Sequence, residues 1–236
     1  MTKKFLIFTL VFILMATFSY AHDFWIEKKD GKYYIVSGHD DKWDNYDPLR
    51  VKDAKVFSVT GSPVKVDVVR QNDIAYILPK ADIGAISVFF DNHYWVKTTE
   101  GWKNITKQEA IKQGFQVIES GQSFKYAKYI ERWSDNFSKP LEIKMEIIPL
   151  KNPFAIKQGQ KLPLKVLLDG RPLGNAPVFL HAKHEEFAKT DKHGQVDVVI
   201  DPNKMNIISV TTRLPYKDNP DADQLYLRAS LSFGGR

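Results

Sequence analysis

Leu162-Pro163-Leu164-Lys165-Val166-Leu167-Leu168-Asp169-Gly170-Arg171-Pro172-Leu173-Gly174-Asn175-Ala176-Pro177-Val178 places a leucine- and valine-rich run, a four-residue turn signal and the start of a second apolar run in one stretch. Asp-Gly between two such runs is the chemistry of a strand-turn-strand unit. Working outward, residues 162–168, 178–182, 188–190, 196–200, 206–212 and 226–233 read as strands, with Asp191-Lys192-His193-Gly194 as a second turn. That spacing is the one of a small immunoglobulin-like sandwich. Upstream, residues 32–37, 54–59, 64–69, 74–78, 85–90 and 141–148 are further β-branched or aromatic runs of strand length between Gly, Pro, Asn and Asp punctuation. Thr106 and Glu109 stand at capping-box spacing and Gly114 at the place of a C-terminal cap, which predicts a short helix over 106–113. Residues 123–133 fit a second helix or, with Phe124, Tyr126 and Lys128 on one face, a strand. The reading is an all-β protein of two β-sandwich, immunoglobulin-like domains, 22–138 and 139–236, with one or two short helices in the first.

Composition narrows the chemistry. The chain has 236 residues, 43% apolar and 13% aromatic, which is globular composition and argues against a disordered or collagen-like chain. It has no cysteine, so disulfides, thiolate zinc sites, iron–sulfur clusters and cysteine nucleophiles are excluded. A metal would have to be held by His, Asp, Glu, Met or main-chain groups. No Gly-x-Ser-x-Gly elbow, phosphate-binding glycine loop or His-Glu-x-x-His is present, so the expectation is a binding protein with no catalytic residues.

Lys3 and Lys4 followed by an apolar run over 5–18 and Ser19-Tyr20-Ala21 read as a secretory signal peptide, residues 1–21. An apolar run of this length falls short of the roughly 20 residues that span a bilayer, so cleavage is expected, with no membrane span left in the mature chain and the periplasm as destination. Cleavage after Ala21 makes His22 the first residue, and its α-amine and imidazole can close one chelate ring on a metal. Losing Lys3 and Lys4 takes 34 basic residues to 32 against 28 acidic ones, a net +4 with the lysines interspersed among acids and aromatics. A nucleic-acid binder would concentrate its charge in a stripe or arm, so no nucleic-acid partner is expected.

The run 162–178, Lys189-Thr190-Asp191-Lys192-His193-Gly194 and Leu227-Arg228-Ala229-Ser230-Leu231-Ser232-Phe233 resemble the immunoglobulin-like domain of a family of periplasmic proteins associated with bacterial nickel and cobalt uptake. His22-Asp23-Phe24-Trp25 matches the histidine and aromatic residue that follow the signal peptide in that family. Glu146-Ile147-Ile148-Pro149-Leu150 with Asn152-Pro153 resembles its interdomain strand, and Asp91-Asn92-His93-Tyr94-Trp95-Val96-Lys97 with Gly101-Trp102-Lys103-Asn104 its aromatic loop. The resemblance spans nearly the whole mature chain. It implies metal handling, and it brings the segments of His39 and His93 near the N-terminus.

Six histidines then sort themselves. His22, His39 at the end of a strand and His93 in the aromatic loop form the candidate nitrogen-rich site, with Asp40 as a further ligand or a partner that orients His39. An amine and three imidazoles suit Ni(II), Co(II) or Cu(II). His181 and His184 fall on opposite faces of a strand, and whether they form a second site stays open; His193 reads as a turn residue. Asp40, Asp41, Asp44 and Asp47 read as a polar loop lacking the glycine of a calcium loop. The leading expectation is a Ni(II) or Co(II) carrier that delivers its ion to a membrane transporter of the ABC or energy-coupling type, or receives it from an outer-membrane receptor. The alternatives are an N-terminal-histidine copper protein, chaperone or oxidoreductase, and a metal-free adhesion or carbohydrate-binding sandwich that stacks sugars on Tyr94, Trp95 and Trp102.

Overall fold

The computed structural model describes residues 22–39, 42–78, 82–183 and 185–234. The expected signal peptide, Asp40, Asp41 and His184 lie outside the described residues.

In chain order the elements are β1 (Asp23–Lys29), β2 (Lys32–His39), β3 (Lys42–Trp43), β4 (Val51–Phe57), β5 (Pro63–Val64), β6 (Val68–Gln71), β7 (Ile74–Ile77), β8 (Ala85–Thr98), β9 (Gly101–Lys103), α1 (Lys107–Lys112), β10 (Val117–Ile130), β11 (Met145–Pro149), β12 (Lys161–Leu168), β13 (Arg171–Pro172), β14 (Pro177–Leu180), β15 (Glu186–Lys189), β16 (Gln195–Val199), β17 (Asn206–Pro215) and β18 (Gln224–Phe233). The protein is all-β. Sheet A runs β1-β2-β7-β6 with β3 on β2; sheet B runs β15-β14-β17-β18-β10-β8-β4-β5 with β9 on β8; sheet C runs β11-β12-β13 with β16 on β12.

The Asp169-Gly170 turn forms as read, with Leu168 opposite Arg171 and both turn residues at positive φ, +49° and +74°. The short helix forms too, with the Thr106 and Glu109 side chains each taking the other's main-chain N–H. The second stretch in question, 123–133, is not helical. Residues 123–130 belong to β10, a fourteen-residue strand, and 131–133 follow its end.

Sheet B crosses the expected boundary at 138/139. Strands β4, β5, β8 and β10 from before it and β14, β15, β17 and β18 from after it share one hydrogen-bonded sheet, joined where β10 runs parallel to β18, Gly121 opposite Gln224 through Ile130 opposite Phe233. Two cores lie on the two faces of that sheet. Phe24, Ile26, Tyr33 and Ile35 of sheet A pack with Val88, Phe90, Ala127 and Tyr129, while Met145, Ile147, Leu164 and Val166 of sheet C pack with Tyr126, Ile130, Leu227, Leu231 and Phe233. Strand β10 therefore sends alternate side chains into different cores and is buried on both sides.

Strand β1 is the edge of sheet A, and sheet B caps it. The Ser230 hydroxyl donates to the Phe24 carbonyl and the Ser232 hydroxyl donates to the Ile26 carbonyl at 2.7 Å. Hydroxyls spaced two residues apart on β18 thus meet carbonyls spaced two apart on β1, and the edge has no row of open acceptors. At the far end, Asp223 ties α1 to β10: the Lys107 ammonium lies 2.6 Å and the Ser120 hydroxyl 2.7 Å from its carboxylate. Lys107 and then Ser120 hold the Asp223 carboxyl below the usual range. A depressed folded value stabilises the protein above the unfolded pKa of about 3.9 and the gain is lost as pH falls through the folded value. Asp223 is 53% exposed, so solvent screening keeps the gain to about 0.5–1 kcal/mol. Asp223→Asn should lose that amount at pH 7 by urea unfolding, and the gap to wild type should close as pH falls through the lowered Asp223 value.

Candidate metal centre

Strand register builds the site. Asp23 on β1 pairs with Gly38 on β2, and continuing this antiparallel ladder by one residue sets His22 opposite His39. On the other side of β2, Gly38 pairs with Trp43, and the Asp44 N–H donates to the Ser37 carbonyl at 2.7 Å. Residues opposite one another share a face, so His22, His39 and Asp44 stand together at one end of sheet A. Gly38 lets β3 close on β2, because a Cβ there would lie 2.1 Å from the Lys42 carbonyl oxygen. Only a residue without a side chain permits that approach.

The three side chains converge. One ligand atom from each of His22, His39 and Asp44 lies within 4.8 Å of the others. The His22 Nδ1 hydrogen-bonds the Asp44 carboxylate, and the two imidazole rings are 4.6 Å apart, tilted by 42°. His22 is half-exposed, 49% for its side chain, against 22% for Asp44, so the cluster opens to solvent on the His22 side.

Beneath it the chain is charged and buried. Asp23 is 2% exposed, and its carboxylate accepts from the Ser209 hydroxyl at 2.6 Å and from the Arg228 guanidinium. Lys125 on β10 is also 2% exposed, and its Nζ donates to the His22 main-chain oxygen at 2.8 Å. Burial, with the repulsion of Arg228 added, pushes the Lys125 ammonium down to about 7, against the pull of Asp23.

Of the residues expected in the site, His22 and His39 meet and Asp40 lies outside the described residues. His93 is not in the converging group. It sits exposed on β8 at φ +59°, its N–H bonded to the Asp91 carboxylate at 3.0 Å, beside the register shift between Gln122 and Phe124 on β10. The bulge turns the His93 side chain out of the ladder, and Asp44 supplies the third donor instead. The polar-loop reading of the acidic run holds for Asp47, whose carboxylate caps the turn over Pro48–Arg50, and Asp44 too lies outside the strands, with its carboxylate turned to His22. His181 follows β14 at φ +55°, and His193 donates its N–H to Asp191 at 2.8 Å, a turn residue as read. Among the described residues no ring contact joins Tyr94, Trp95 and Trp102. Rings do line up elsewhere, as in Trp43-Tyr34-Tyr76, with centroids 5.3 and 5.6 Å apart.

No solved structure matches the chain. An uncharacterized protein of Haemophilus influenzae is similar to it, 29% identical over 156 residues, which are 65% of this chain and 64% of that protein's length. A family model described as a domain of unknown function, DUF4198, matches residues 19–213. That span holds the histidine–aspartate cluster, sheets A and C and most of sheet B, and the chain belongs to the DUF4198 family.

Proposed function

We propose that this protein binds a divalent transition-metal ion, nickel or cobalt, outside the cytoplasm and hands it to an uptake transporter in the membrane. One observation carries the reading: His22, His39 and Asp44 bring two imidazoles and a carboxylate within 4.8 Å of one another. That donor set suits Co(II) and Ni(II), which take imidazole and carboxylate readily. Removal of residues 1–21 adds the α-amine of His22. An α-amine has a pKa of about 7.7–8.0, so a metal displaces its proton near neutrality and closes a chelate ring through the amine and Nδ1. Nδ1 is the atom that already faces Asp44. The solvent-open side of the cluster leaves a position for an incoming ligand, and an ion held this way moves to a transporter by ligand exchange. The resemblance to nickel- and cobalt-uptake proteins supports the choice of cargo.

The test is calorimetric titration of Ni(II) and Co(II) into protein whose first residue is His22, beside protein with one extra N-terminal glycine. Sub-micromolar 1:1 binding, weakened at least tenfold by the glycine, is the expected result. Absence of binding by either form overturns the reading. Cu(II) will bind more tightly than either ion because it stands above them in the affinity order, so copper affinity does not assign the cargo. Turnover of the copper form with a reductant and oxygen would assign a copper oxidoreductase instead.

A further inference from the structure

Strand β1 and the residue before it offer three outward carbonyls at a spacing of two: His22, Phe24 and Ile26. Serine hydroxyls suffice for Phe24 and Ile26. At His22 the donor is a lysine ammonium, placed on β10 opposite Arg228 and Phe90 and withdrawn from water. This is a costly choice for a main-chain hydrogen bond. Lys125 makes no ion pair among the described residues, its hydrogen bond is to a neutral carbonyl, and Arg228 beside it is already taken by Asp23. A buried cation without a contacting carboxylate opposes folding. A chain terminus, for its part, frays unless it is tied down, and the paired register of β1 begins only at Asp23.

We infer that Lys125 is a positioning residue for the metal centre, fixing the main chain of His22 so that its imidazole and α-amine are held toward His39 and Asp44. The inference deepens the metal-binding reading and rests on it. Asp23 completes the clamp from the next residue: its carboxylate is locked by Ser209 and Arg228, so two successive residues are anchored to three strands of sheet B, β10, β17 and β18. The His22 side chain, half-exposed, then has little freedom left except about its own χ angles. Ordering the donors beforehand lowers the entropy that a metal must overcome on binding.

A residue kept for packing and one kept for positioning respond differently to Lys125→Met, which retains the length and removes the charge. If Lys125 positions His22, the variant melts higher than wild type, because the buried charge is gone, while its Ni(II) affinity falls at least tenfold. In the metal-free protein the His22 ring Cε1–H signal should also sharpen, reporting faster local motion. Lys125→Gln, which keeps a donor on a shorter arm, should fall between the two in affinity. A variant with wild-type Ni(II) affinity overturns the inference, as does one in which stability and affinity fall together. If wild-type protein binds no Ni(II), the metal reading fails, and the ring signal still decides whether Lys125 orders His22.

Discussion

Glu146→Leu should destabilise the protein by about 3–5 kcal/mol at pH 7, the range found when one partner of a buried ion pair is removed. Lys128 on β10 and Glu146 on β11 are each 2% exposed, and the Lys128 ammonium lies 2.7 Å from the Glu146 carboxylate. The same carboxylate accepts the Leu141 N–H, at 3.0 Å to its nearer oxygen. Leucine would leave an ammonium in the core between sheets B and C with no counter-charge. Burial pushes the Lys128 ammonium below its ordinary value and Glu146 opposes that push, so without Glu146 it falls further. A lysine whose folded value lies below its unfolded one makes a protein gain stability as pH rises between the two. The penalty of Glu146→Leu should therefore shrink as pH rises from neutrality toward the unfolded value of about 10.4. Lys128→Met combined with Glu146→Leu should recover most of the loss, leaving roughly the 1–3 kcal/mol of an unsatisfied Leu141 N–H. Urea unfolding of the two variants between pH 6 and 10 measures all three quantities. A loss under about 1 kcal/mol for the single variant would show that the pair does not hold the sheets together.

His39→Ala should weaken Ni(II) binding more than a hundredfold. Loss of outer partners of a metal site commonly costs 10–100-fold, and His39 is proposed to touch the ion itself. Asp44→Asn keeps the shape and a neutral oxygen, so its loss should be smaller, about tenfold. His93→Ala separates this account from the three-histidine one. His93 lies at the bulge of β8 and outside the converging group, so its removal should change affinity less than threefold. Calorimetric titration at fixed pH reads all three, and stability should stay close to wild type in the His39 and His93 variants, since neither side chain belongs to a buried hydrophobic cluster.

Local chemistry was legible in the sequence wherever one element carries its own signal. Asp169-Gly170 fixes a turn by demanding positive φ, and Thr106 with Glu109 fixes a helix start by spacing alone. Strand β10 lacked such a signal. Tyr126 and Ile130 enter one core while Ala127 and Tyr129 enter the other, so the alternation that marks a half-exposed strand is absent. Its parallel partner β18 begins about a hundred residues later in the chain, and no local pattern announces a pairing of that range. For this reason a boundary placed at 138/139 has strands of one continuous sheet on both its sides. Strand β1 carries no such signal either, because its Phe24-Trp25-Ile26 run is short and follows directly on the expected cleavage point.

The site shows the same division. His22 stood out through the cleavage pattern and His39 as a histidine at a strand end, and the ladder that sets them opposite one another follows once β1 and β2 are paired. Asp44 was hidden in an acidic run, since only the pairing of β3 with β2 at Gly38 singles it out from Asp47. Lys125 was hidden more deeply, because a lysine in an apolar strand reads as an exposed position, and only sheet B resting on the edge of β1 makes it a buried one.

The most direct test of the central claim is the crystal structure of protein beginning at His22, grown with one equivalent of Ni(II) and measured at the nickel absorption edge. One anomalous peak is expected, about 2.0–2.2 Å from ring nitrogens of His22 and His39 and from an Asp44 carboxylate oxygen, the metal–ligand range of imidazole and carboxylate sites. A peak at His93 or His181 with His22 and Asp44 still hydrogen-bonded to each other, or no peak at all, would contradict it.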